Sequence, residues 1–379
     1  MRTGLAVGLV PVFRHHVAAG PVRPPVSLRT CSEVDMSQVL IVGAGIAGAL
    51  AAHELEAAGH DVMVVDKGHA PGGRVATRTV GDAVFDHGAQ FLTAKSSTFQ
   101  ALVDGWNAAG VTRTWFRGSP DLGSPDTAPE DTDASDGHPR YHGEPTMRRI
   151  GEHLSAGLDV RLGTVVEAVE AISGGWRLRG TLRDGFTPFT LEGHAVLLTA
   201  PVPQTLALLD AGAVRLDAEH RRELDEIVFD PCISVLARPH STPTLPARGA
   251  ARLQDGPIMW LTDNQATGAS PTPAVTIHGA GGWSREHFDD PDEVVGRELV
   301  GFARPHLGTD ADVLYVHRWR YAKPTAETGE DSILDTTHTA PLAIAGDGLA
   351  GGRVEGAALS GLDAAARLIE HLAGVTHAT

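Results

Sequence analysis

The sequence predicts an α/β chain in which a Rossmann-type nucleotide-binding domain carries an inserted α+β domain. Three observations predict it. An apolar strand, a glycine turn, an alanine-rich helix and a second apolar strand follow one another from position 37 to 66. A last apolar strand, a Gly-Asp-Gly turn and a final helix occupy 341–372. The segment between them mixes short strands and helices and shows no internal repeat, so the chain leaves the first domain, builds a second and returns.

Each element has a local reason. Residues 37–42 are a short apolar run and 46–58 an alanine-rich amphipathic helix that Gly59-His60 ends. Residues 62–65 form the second strand, closed by Asp66. The segments 160–162, 164–171 and 176–178 read as a meander, 195–199 as a buried strand, and Pro201-Val202-Pro203 as a sharp turn. Further on, 275–278 and 313–317 are the clearest strands. The Ser-, Pro-, Asp- and Gly-rich stretch 117–139 reads as an exposed acidic loop. These features place the nucleotide-binding domain in 36–95, 141–203 and 322–379, and the second domain in 96–140 and 204–321. Residues 1–35 read as a disordered tail or a start placed too far upstream.

Bulk properties exclude several classes. A chain of 379 residues is long enough for two joined domains with real cores. Its formal net charge of −16 disfavours a phosphate backbone, so nucleic acid is not an expected partner. No apolar run reaches the length of a membrane span, so stable membrane insertion is not expected. The two cysteines, Cys31 and Cys232, form neither a CxxC pair nor a zinc spacing. That fits a cytoplasmic setting, excludes disulfide-reductase chemistry and leaves no expected metal site.

The chemistry lies in four motifs. Gly43-Ala44-Gly45-Ile46-Ala47-Gly48 stands between strand and helix. Gly43 permits the turn, Gly45 admits a pyrophosphate to the backbone, and Gly48 packs helix on strand. The helix N-terminus offers free N–H groups and partial positive charge to the phosphates. Asp66, 18 residues past Gly48, suits two ribose hydroxyls. In Pro71-Gly72-Gly73-Arg74 the arginine suits the pyrophosphate. In Phe85-Asp86-His87-Gly88-Ala89-Gln90-Phe91 the small Gly88 and Ala89 would let the backbone pass a flat ring. At the far end, Asp347 suits a ribityl hydroxyl, and the helix opening near Glu355 would aim its positive end at a ring that becomes negative on reduction.

Together these motifs resemble the flavin-containing amine oxidase superfamily and, within it, the renalase family. The resemblance runs through residues 39–52, 71–78, 85–93, 200–204 (APVPQ), 317–321 (HRWRY) and 346–361. It implies a GR2-type fold with non-covalent FAD, since the cysteine used for covalent attachment before the last helix is missing. It also implies FAD contacts at Ala47, Asp66, Lys67, Arg74, Gln90 and Phe91. Val166 would flank the adenine, and Asp347, Glu355 and Ala357 would serve the ribityl and ring end. The implied activity is oxidation of a small substrate, the 2- and 6-dihydro isomers of NAD(P), with molecular oxygen as acceptor. A dihydropyridine needs orientation more than acid–base help. Trp319, Tyr321, His278 and Asn264 are therefore the expected catalytic residues, with Trp260 and His317 as further candidates. An amine oxidase or desaturase, or a flavin protein that does not turn over, would share the same nucleotide motifs.

Overall fold

The computed structural model describes residues 38–118, 121–122, 138–326 and 330–376. The expectation for 1–35 and most of that for 117–139 lie outside them.

Among the described residues six strands form one sheet. Their order is Ile333–Asp335, Leu342–Ile344, Ala195–Leu198, Gln38–Val42, Asp61–Asp66 and Asp159–Leu162. All neighbours are parallel except the edge pair Ile333–Asp335 and Leu342–Ile344. The two ends of the chain therefore meet in one sheet with Ala195–Leu198 between them. Alternate residues bury both faces. Leu40, Val42, Val196 and Ile344 pack with Trp176 and Leu209, while Val39, Ile41, Val64 and Ala343 pack with Leu55 and Leu368. Burial on both faces is why these strands read as unbroken apolar runs.

Helix Ile46–Ala57 and the last helix, Val354–Thr376, cross at close range. A Cβ on Gly361 would overlap the backbone of Ala47, so the crossing requires glycine there. Helix Ser97–Ala108 buries Phe99, Val103 and Trp106 with Ile46, Leu50 and Leu154. Its N-cap is Ser96, whose hydroxyl accepts from the Phe99 N–H.

Two expectations are corrected. Residues 160–162 do not belong to the meander. Asp159–Leu162 joins the main sheet, Gly163 turns the chain at positive φ, and the meander is Thr164–Ile172, Gly175–Leu182 and Pro188–Gly193. Pro201 does not merely turn the chain. It caps helix Val202–Ala211, whose first turn tolerates Pro203 because that N–H has no helical partner.

A second sheet is antiparallel, in the order Ala250–Arg252, Ile258–Asp263, Val275–Gly279, Phe229–Pro239, Ala311–Pro324. Its longest strand extends well past the expected 313–317. One face, with Ile233, Val235, Ile277 and Val316, packs on Val295, Leu299 and Ala303 of helix Asp292–Leu307. The period of two then sends Ser234, Trp260, His278, His317 and Trp319 to the opposite face.

Candidate flavin and substrate site

The three fingerprint glycines do three different jobs. Gly43 sits at φ +114 against the Thr199 hydroxyl, a conformation that L side chains rarely adopt. A Cβ on Gly48 would overlap the Gly43 carbonyl oxygen, so this glycine packs helix on strand. A Cβ on Gly45 would meet nothing within 4 Å. Gly45 is thus required by neither packing nor turn geometry, and it borders the open space where a pyrophosphate would lie. It is also the N-cap of Ile46–Ala57, with no side-chain cap bond, so the first helical N–H groups face outward. Ala47 lies in that first turn.

Asp66 stands beside this loop. Its Oδ2 accepts from the Ala44 N–H at 2.8 Å and its Oδ1 from the Gly68 N–H at 2.5 Å. Each oxygen keeps a lone pair for a hydroxyl donor. Lys67 donates from Nζ to Gln204 Oε1 at 3.1 Å. The meander is fastened to this corner by Gly163 N–H to Gly68 O and by Arg183 to Lys67 O. Val166, in the first meander strand, is half-buried against the main core.

Arg74 joins the two ends of the chain. Its guanidinium forms a two-pronged pair with Asp347, at 2.7 and 2.5 Å, and also donates to the carbonyls of Tyr321 and Ala322 at 3.3 Å. Charge-assisted bidentate pairs of this kind fix geometry as well as energy. The turn before Arg74 lies on the phosphate loop, with Gly72 N–H donating to Ala44 O at 2.7 Å. Glu355 is held by backbone amides of a neighbouring segment. Its carboxylate accepts from the Lys95 and Ser96 N–H groups, at 2.7 to 3.1 Å, so it fixes the start of helix Ser97–Ala108. The N-terminus of the last helix still opens at Val354, and the Ala357 N–H donates to Arg353 O.

The turn at 86–90 is clamped by the second sheet. Thr276 Oγ1 donates to Asp86 O at 2.9 Å, and Asn264 Nδ2 donates to Thr276 Oγ1 at 2.9 Å. Asn264 Oδ1 accepts from the Asp86 N–H at 3.0 Å. A parallel relay runs from Trp260 Nε1 through Thr262 Oγ1 to Gln90 Oε1, at 2.5 and 2.6 Å. Gln90 Nε2 closes onto Asp86 O and Gly88 O. Asn264 and Gln90 therefore shape the turn and do not project from it. Gly88 is small for a different reason from the expected one: a Cβ there would overlap the Arg74 carbonyl oxygen. Phe91 packs its ring 5.2 Å from that of Trp260 and 6.4 Å from that of Phe116. Beneath the turn, buried Asp86 pairs with His142 Nε2 at 3.0 Å and accepts from Thr77 Oγ1 and the Met147 N–H.

Beyond the turn lies a cluster of histidines. The His87 carbonyl accepts from His278 Nε2 at 3.1 Å and from Trp319 Nε1 at 2.8 Å. The His87 and His317 rings meet edge-on at 4.9 Å, and His317 meets Trp319 at 4.3 Å. Trp260, His278, Ser234 and His317 occupy one cross-strand row. Burial pushes His87 down to about 3, helped by His317 and Arg78, and pushes His278 down to about 4. His317 falls to about 4 through burial and the nearby Arg78 charge. All three are neutral at pH 7. Carbonyl partners set two tautomers: His278 carries its proton on Nε2, and His87 carries its proton on Nδ1, which donates to Ala76 O at 3.1 Å.

The structure thus brings Trp319 and His278 together and places Asn264 behind the same turn. Tyr321 stands apart from them, its ring 5.9 Å from Phe229. Sequence reasoning missed the His87 ring, Ser234, Thr262 and Thr276. The alternation Tyr315-x-His317-x-Trp319 marks one strand face of the cluster, but it carries no signal for residues on the other strands.

The comparisons agree with this architecture. Residues 41–106 match an NAD(P)-binding Rossmann-like domain, and residues 141–369, more than half of the chain, match the flavin containing amine oxidoreductase family. The chain belongs to that family and is an FAD-dependent oxidoreductase. Putrescine oxidase from Kocuria rosea is 41% identical over 66 residues, 17% of this chain and 14% of that protein. Putrescine oxidase bound to putrescine has a similar solved structure, with TM-score 0.63 and 16% identity over 89% of this chain and 99% of that one. A putative protoporphyrinogen oxidase from Exiguobacterium sp. 255-15 is similar at TM-score 0.61 and 15% identity, over 90% and 99% of the two chains. At such identities the structures share the fold. Among the described residues no helix is long and apolar enough to cross a membrane.

Proposed function

We propose that this chain holds FAD non-covalently and oxidises a dihydropyridine nucleotide, in the manner of the renalases. In this reading Gly43, Gly45, Ala47 and Gly48 cradle the pyrophosphate and Asp66 the adenosine ribose. Lys67 and Val166 border the adenine side. Arg74 and Asp347 take the phosphate and ribityl region, and the N-terminus of Val354–Thr376 faces the ring, near Glu355, Ala357 and Phe91. When bound, the flavin supplies a two-electron acceptor. The chain's residues orient the donor: Trp319 offers a ring surface, and His278 and His317 supply neutral imidazoles. Asn264 acts through the turn that it holds, and Tyr321 through its carbonyl, which accepts from Arg74. The donor loses a hydride and becomes an aromatic pyridinium. Oxygen takes that hydride's two electrons and proton together with one solvent proton, and leaves as hydrogen peroxide.

One observation carries this reading against a diamine substrate. The wall above the turn holds Trp319, three neutral histidines and Arg78, and its cross-strand row contains no carboxylate. A diamine bearing two positive charges would find no counter-ion there. The same reading assigns 36–95, 141–203 and 322–379 to cofactor binding and 204–321 to the substrate. Helix Ser97–Ala108 goes with the cofactor side, on which it packs, and the setting is cytoplasmic. Incubation with borohydride-reduced NAD isomers in air should yield NAD+ and peroxide in equal amounts. Peroxide from putrescine or benzylamine alone would replace this reading with an amine oxidase.

A further inference from the structure

Arg78 is the charged residue of the histidine cluster. It lies on strand Thr77–Val80, opposite Phe85 in register. Its guanidinium carbon sits 4.1 Å from the centre of the Tyr315 ring, and its charge reaches His317 and His87. The hairpin's own acids are engaged elsewhere, Asp82 with Arg238 and Asp86 with His142. Among the described residues Arg78 has no ion pair or hydrogen bond. A half-buried guanidinium with five donors and no acceptor is costly unless something supplies one.

Two neighbours share this lack. Both His317 ring nitrogens are without a hydrogen bond among the described residues. Ser234, paired in register with His317 and His278, has a fully buried hydroxyl with no partner. Arg78 and His317 are only partly buried, so their donors stay open to a ligand, whereas the Ser234 hydroxyl beneath them is closed off from solvent. The side chains follow one strand face. Tyr315, His317 and Trp319 are successive inward positions spanning roughly 13 Å at the usual rise. Trp319 ends beside the clamped turn, and Arg78 covers the far end.

We propose that Arg78 and His317 form an anion subsite, so that the substrate carries a carboxylate or phosphate at Tyr315 and its reacting ring at Trp319. This rests on the reading that Trp319 borders the reacting ring, and it adds the charge of the substrate. The guanidinium supplies the charge, and His317 supplies one neutral donor. A polycation would be repelled by the same arrangement.

The test uses the FAD-loaded full chain and measures binding by calorimetry and by the flavin difference spectrum. Nicotinamide mononucleotide is compared with its uncharged-end partner nicotinamide riboside. The wild type should prefer the mononucleotide by roughly tenfold or more, as a charged hydrogen-bonded contact implies. Inorganic phosphate and acetate, titrated as competitors, report which anion fits. Arg78→Gln should abolish the preference, with the loss falling on mononucleotide binding. Arg78→Lys should retain part of it, and His317→Phe should reduce it. No preference in the wild type, or a preference that survives Arg78→Gln, would overturn the proposal. The preference together with a flavin that no dihydropyridine reduces would leave the subsite standing and remove the proposed reaction.

Discussion

The phosphate loop and the polar face of the second sheet are built on opposite plans. The loop is a backbone device. Three glycines within six residues fix a turn, an opening and a helix contact, and Asp66 closes it from the neighbouring strand. The sheet face is a side-chain device. Ser234, Trp260, His278 and His317 come from four strands and meet only through register. The contrast teaches where each function resides. The backbone device suits any dinucleotide and says little about chemistry, whereas the side-chain device has a charge, a set of tautomers and a length, and in the proposed function it is the part that selects the substrate.

The comparison can be broken first at the loop. In Gly48→Val the new side chain would overlap the Gly43 carbonyl oxygen. The variant should lose about 3 kcal/mol or fail to fold, as overpacking against rigid backbone does. A wild-type thermal melt would show that helix and strand are not so closely packed.

The sheet face should show itself in acid. His278 has a folded-state pKa of about 4 against an ordinary 6.5. Its contribution is complete above pH 6.5 and is lost as pH falls toward 4, because only the unfolded chain then takes the proton. The slope is at most about 1.4 kcal/mol per pH unit. Denaturant midpoints followed from pH 7 to 4 should fall less steeply in His278→Gln than in the wild type. Parallel curves would mean that His278 is accessible to protons in the folded state.

The link between the two regions is Arg74 with Asp347. Asp347→Asn removes the charge that holds a half-buried guanidinium, and stability should drop by about 2 kcal/mol, with weaker FAD binding. Unchanged FAD affinity would confine the pair to a structural role. The smallest effect is expected from Trp319→Phe, which removes one bond to the His87 carbonyl. It should cost about 1 kcal/mol and raise the donor KM more than it lowers kcat. An equal loss in both would place Trp319 in the reacting step itself.

The two regions also differ in how much of each could be read from sequence. The loop, Asp66 and the returning Asp347 segment were legible because they depend on local backbone geometry and fixed spacing. The hydrogen-bond partners of Glu355 and Gln90 were not. Glu355 is taken up by amides at positions 95 and 96, and Gln90 by Thr262, partners far away in the chain. Strand Phe229–Pro239 was hidden by Pro231, which falls at a register shift where a missing N–H is tolerated. Trp260, His278 and His317 were legible as candidates, but their meeting with Ser234 in one row was not, because strand register is decided by the packing of the whole sheet.

In the proposed function Gly45 stays open so that a cofactor can approach. The most direct measurement is the flavin content and thermal melt of Gly45→Val purified beside the wild type. A colourless protein that melts like the flavin-free wild type is the predicted result, because a Cβ at this position meets no protein atom within 4 Å and the side chain would occupy the pyrophosphate's path. A fully yellow variant would contradict the placement of the phosphate loop, and an unfolded one would contradict the division of labour among the three glycines.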